Sequence, residues 1–187
     1  DDEDDGEDDG GGGDWYEGED EDEVNYPPFE LPSIIEYFES LVNIRLYKCH
    51  KLPIIELGKL PLLKKIKFDE CHRSLFESIP VGLRLPSSTK VVSINLSDSY
   101  ASLLPFLKIL PDKLEVLWLS GSRTRDKGKT SKQTDEILHI LKNDDLIFSQ
   151  SLTTIDMTNC ELNEDGLELL LFEILPNFPN LHSLIVT

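Results

Sequence analysis

The strongest constraint on this chain is a frame that recurs six times. An apolar residue is followed by two variable ones, an apolar, one variable, an apolar, two variable, and then Cys, Asn or Ser. It runs through Leu41, Ile44, Leu46 and Cys49, then Leu63, Ile66, Phe68 and Cys71. The next copies read Val91, Ile94, Leu96 and Ser99, then Leu114, Leu117, Leu119 and Ser122, then Leu152, Ile155, Met157 and Cys160. A sixth begins Leu181, Leu184 and Val186. Successive starts lie 22, 28, 23, 38 and 29 residues apart. The fourth and sixth positions alternate with variable ones, which is the period of a strand with one buried face. One such unit cannot bury its apolar side alone, so neighbouring units must stack on each other.

Over roughly residues 31–187 this frame resembles the leucine-rich repeat family. Leu57-Gly58-Lys59-Leu60-Pro61 looks like the repeats of plant immune receptors, and Cys160 to Leu175 looks like the helical repeats of ribonuclease-inhibitor-type proteins. The resemblance implies an α/β solenoid, a curved parallel sheet with helices and loops on its convex side. The domain is expected to span 26–187 with about six repeats, preceded by a leader over 1–25. The truncated sixth frame suggests a fragment of a longer chain.

The leader carries most of the charge. The whole chain has a formal net charge of −18, from 36 acids and 18 bases. Residues 1–23 hold 15 of those acids and no Lys or Arg, so the remainder is close to balanced. A segment so acidic and so poor in apolar residues cannot offset its chain entropy by burial and reads as disordered. It repels DNA and anionic membranes, so neither is an expected partner, and it offers charge to a basic protein partner instead. A cytoplasmic or nuclear location follows from three cysteines with no paired spacing.

All three cysteines fall on the ninth position of a frame, together with Ser99 and Ser122. There the chain leaves the strand, and a small polar side chain can satisfy backbone groups inside the turn. Cys49, Cys71, Ser99, Ser122 and Cys160 are therefore expected to form a structural turn ladder, with the thiols buried. Cys49-His50 and Cys71-His72 have the residue types of a zinc site. The repeat frame alone explains that spacing, so no metal or other cofactor is expected.

Among the return segments, Asn163 should cap a helix whose apolar stripe is Leu167, Leu170, Leu171 and Ile174, with Pro176 ending it. Ser102 to Leu110 reads as a second helix, and Ile34 to Ser40 as a short one ahead of the first strand. The 38-residue step holds a basic loop from Ser122 to Ser131, then a helix opened by Thr130 and Gln133. Gly121 and Gly128-Lys129-Thr130 echo a phosphate-binding loop. Six residues separate the glycines where such a loop has four, so its backbone would not wrap a phosphate.

No nucleophile–base constellation is present, and the chain is not expected to be an enzyme. In leucine-rich repeat proteins the variable strand positions face the concave side, where partners bind. Arg45, Tyr47, Lys48, Lys65, Lys67, Asn95, Trp118 and Asp156 occupy such positions. Aromatic residues and Arg dominate protein interfaces, which makes Trp118, Tyr47 and Arg45 the anchors. The expected function is a protein-interaction scaffold. The alternatives are a nuclear-chaperone-like binder of basic proteins through the leader, and the repeat part of a larger immune or signalling receptor.

Overall fold

The computed structural model describes residues 38–50, 54–77, 79–80, 82–96, 99–121, 127–143 and 145–186. The expectations for the leader and for Ser122 lie outside them, as does most of the Ile34–Ser40 helix. The chain is α/β, built on one six-stranded sheet. Its strands are β1 (Asn43–Tyr47), β2 (Lys65–Cys71), β3 (Val91–Leu96), β4 (Val116–Leu119), β5 (Thr154–Met157) and β6 (Ser183–Val186). All pairings are parallel and the spatial order is the chain order.

A single hydrogen-bond device sets the register. The carbonyl of Val42 accepts from the N–H groups of both Lys64 and Lys65, at 2.8 and 3.1 Å. The carbonyls of Lys64, Lys90, Glu115 and Thr153 each accept in the same way from two consecutive N–H groups ahead of the next strand. Every strand thus begins at the same height as its neighbour.

This device corrects the third frame. Lys90 takes the place of Lys64 and Glu115, so the first position of that frame is Thr89, not Val91. Thr89 is fully buried, and its hydroxyl donates to the Leu63 carbonyl at 3.0 Å. A satisfied Thr fits where Leu stands in the other copies, and a scan for apolar residues passes over it. Val91 belongs to the opposite face, level with Lys65 and Val116. Ser99 consequently drops out of the turn ladder: it lies three residues beyond Leu96, the residue paired with Cys71, and its hydroxyl donates to Glu136 Oε2 at 2.8 Å.

The core lies on one side of the sheet. Ile44, Ile66, Val92, Leu117, Ile155 and Leu184 form one inward row across the six strands, and Leu46, Phe68, Ile94 and Leu119 a second. Phe68, Phe76 and Phe106 meet edge to face below the second row, with centroids 5.0–5.2 Å apart, a geometry aromatic rings favour. Tyr100 is fully buried at the ends of β3 and β4. Its hydroxyl accepts from the Leu96 N–H at 3.2 Å and faces the carbonyls of Ile94 and Ser120. Burial lifts this phenol far above its ordinary pKa, so it stays a donor.

The connections carry α1 (Ile54–Leu57), α2 (Leu104–Leu107), α3 (Lys127–Leu141) and α4 (Glu164–Leu169). Helix α2 is one turn long, shorter than the expected Ser102–Leu110, and α3 starts at Lys127, so part of the expected basic loop is helical. Gly128-Lys129-Thr130 therefore lies within a helix. Asn163 caps α4 as expected, its Oδ1 accepting from the Gly166 N–H at 2.8 Å. The stripe, however, is displaced: Leu170 and Ile174 are buried, whereas Leu167 and Leu171 are 45% and 44% exposed. The helix widens into a π turn over Leu170–Ile174, which re-aims Leu171; Leu167 lies ahead of it, within α4 itself. No helix among the described residues is long and apolar enough to cross a membrane.

Candidate functional site

Strand alternation sends the variable positions to the face opposite the core. Arg45, Lys67, Ser93, Trp118, Asp156 and Ile185 form one row across all six strands. Tyr47, Asp69 and Asn95 form a second row over the first three. Lys65 lies in a third, with Asn43, Val91 and Val116. Lys48 follows β1 directly. The sheet thus collects all eight predicted binding residues on one face, within strands spaced about 4.8 Å apart.

The bases on this face are not isolated charges. Asp69 pairs with Arg45 and lies 3.4 Å from Lys67 Nζ, while Lys48 Nζ is 3.6 Å from Glu70. Partial burial works to raise the Asp69 carboxyl, but Arg45 and Lys67 outweigh it and hold the group below its ordinary pKa. Tyr47 and Glu70 raise the Lys48 ammonium above its own. Lys65 takes a different course. Its Nζ stands 4.9 Å from the centre of the Trp118 ring, although the two residues belong to strands separated by β3. On the intervening strand Ser93 is level with Trp118 and is 3% exposed. Beyond Trp118, Asp156 Oδ1 accepts from the Thr158 N–H at 2.8 Å, which fixes its carboxylate.

Asp69 and Ser93 occupy variable strand positions that the frame already assigns to this face: Asp69 is the hub of the basic cluster, and Ser93 shares the row of Trp118. One residue escaped sequence reasoning: Ile185, 39% exposed beside Asp156. Strand alternation was the available signal for Ile185, in a frame read as truncated.

At the turns, Lys48, Glu70 and Asn159 have positive φ values of 49°, 53° and 61°. Each immediately precedes a cysteine. The left-handed residue swings the cysteine back toward the core. Cys71 Sγ donates to the Leu46 carbonyl at 3.4 Å, and Cys160 Sγ to the Leu119 carbonyl at 3.5 Å. Both acceptors are sixth-position residues of the preceding strand. Burial pushes the Cys71 thiol up and the Cys160 thiol up to about 11. Cys49 departs from expectation: it is half-buried, at the edge strand. No disulfide joins the three.

The imidazoles of His50 and His72 stack with centroids 5.4 Å apart, and Nδ1 of His72 accepts from the Ser74 N–H at 3.2 Å. Among the described residues no group of three or more His, Cys, Asp or Glu is placed to hold a metal ion. Gly121 has a packing role: a Cβ there would lie 2.0 Å from the Asn159 carbonyl oxygen.

The sequence matches no protein-family model and no curated protein.

Proposed function

We propose that this chain is a non-enzymatic protein-interaction scaffold, a leucine-rich repeat solenoid that binds a protein partner on the outward face of its sheet. The repeat reading is supported by six parallel strands in chain order, started by the same forked carbonyl five times over. The binding reading rests on one observation above all. Trp118, half-buried and braced by Lys65, stands in a continuous row with Arg45, Lys67 and Asp156. A large ring held in place loses little conformational entropy on binding, which suits a hot spot.

A photo-crosslinking residue at position 118 tests this, with Glu168 on α4 as the control position. The same protein should be captured from position 118 and not from 168. Unlabelled chain should compete it away, and a Trp118→Ala chain should not. Equal capture from both positions, or equal competition by the variant, overturns the reading.

The 15 acids of residues 1–23 favour a second reading, a binder of basic proteins in the cytoplasm or nucleus. A lysine-rich histone-tail peptide should then bind the full chain and lose affinity when residues 1–23 are deleted, with strong salt dependence. Unchanged affinity after the deletion removes it.

A further inference from the structure

The chain has three cysteines, and two of them are neighbours across a strand pairing. Tyr47 pairs with Asp69 at the ends of β1 and β2, the Lys48 N–H bonds the Asp69 carbonyl at 3.0 Å, and the His72 N–H bonds the Cys49 carbonyl at 3.0 Å. These contacts bring Cys49 level with Cys71. Adjacent strands lie about 4.8 Å apart, within the roughly 4.4–6.8 Å Cα separation that a disulfide spans. The two thiols differ in access: Cys49 is half-buried and Cys71 is fully buried. Cys160 supplies an internal comparison, a buried thiol in an equivalent turn whose thiol hydrogen bond goes to the Leu119 carbonyl.

We propose that Cys49 and Cys71 form a thiol–disulfide exchange site that takes small-molecule disulfides of the glutathione class and closes into a staple between β1 and β2. The Cys49 thiolate attacks one sulfur of the small disulfide. The S–S bond breaks, a Cys49 mixed disulfide forms, and the first small thiolate leaves and takes up the proton that Cys49 lost. The Cys71 thiol then gives its proton to solvent, and its thiolate attacks Cys49 Sγ. The Cys49–Cys71 bond forms and the second small thiolate leaves, protonated in turn from solvent. The two protein thiols are oxidised by two electrons, and the small disulfide is reduced to two thiols. Cys49 reacts first because it is the accessible thiol, and Cys71 resolves because it is already adjacent. The staple ties the edge strand to its neighbour and closes the loop between them.

The test uses the full chain, reduced and then equilibrated with oxidised and reduced glutathione in varied ratio. Non-reducing peptide mapping by mass spectrometry should find one peptide pair joined through Cys49 and Cys71, lighter by two hydrogens than its reduced form. Cys160 should remain a thiol, and the thermal midpoint should rise on oxidation. Cys71→Ser should stop the reaction at glutathione on Cys49. Cys49→Ser should slow modification of Cys71 by about tenfold or more. Far-ultraviolet circular dichroism checks that each variant is folded, and Cys71→Ala serves if the serine variant is not. A wild-type chain that accumulates glutathione on Cys49 with Cys71 still reduced overturns the proposal. So does modification of Cys160 at the same rate as Cys49.

Discussion

Lys65 Nζ reaches over β3 to lie 4.9 Å from the ring centre of Trp118, so one contact links β2 to β4 across the outward face. A cation over an indole contributes about 0.5–1 kcal/mol where water still reaches it. Lys65→Ala and Trp118→Ala should each cost about that much in urea unfolding, and the double variant should cost less than their sum. Strict additivity would mean that the two side chains do not interact. In partner binding Trp118→Ala should cost about 2 kcal/mol, several times its effect on stability.

Tyr100→Phe removes one hydroxyl, which takes from the Leu96 N–H its buried acceptor and from the Ser120 carbonyl the phenol facing it, while the Ile94 carbonyl keeps the Ser120 N–H at 3.1 Å. We expect a loss of about 1–3 kcal/mol, read from the urea midpoint at constant m-value. An unchanged midpoint would show that the hydroxyl is not the link between the strand ends.

Gly121→Ala should destabilise by about 3 kcal/mol, since its Cβ meets a backbone oxygen that cannot rotate away. Thermal unfolding of the variant beside the wild type measures this. A loss below about 0.5 kcal/mol, the ordinary range of a surface substitution, would contradict the close approach of the two turns.

The pH dependence of Asp69 has a fixed sign. Its folded pKa lies below the ordinary Asp value of 3.8 because Arg45 and Lys67 favour the carboxylate. The stabilisation is therefore fully present above that ordinary value and disappears as pH falls through the lower folded one. Both bases face solvent, so the effect should be about 1 kcal/mol or less. Urea unfolding from neutral pH down to about pH 2 should show the gap between wild type and Asp69→Asn closing in that acid window. A gap that widens on acidification would reverse the assignment.

The inward rows were legible in the sequence because burial admits few residue types at Ile44, Ile66, Leu117, Ile155 and Leu184. The third frame was misread where that rule relaxes: Thr89 is polar yet satisfied inside, while Val91 is apolar yet faces outward. The α4 stripe failed for a different reason. Asn163 announces the helix start, but nothing in Leu170 to Ile174 announces a π turn, and one wider turn re-aims Leu171. On the candidate site, strand alternation gave the face and the membership of its rows. It carried no information about how far Lys65 reaches or that Asp69 gathers two bases, since those contacts depend on side-chain directions across neighbouring strands.

The forked carbonyls have a consequence for how the molecule comes apart. Each strand is held at its start by the strand before it and serves the one after, so no interior strand can leave while both neighbours stay. Among the described residues β1 and β6 are the outer strands, so loss of structure in this sheet should fray inward from them. Amide hydrogen exchange should show that gradient, fastest at Arg45 and Ile185 and slowest around Ile94 and Leu117, beside the aromatic cluster and Tyr100.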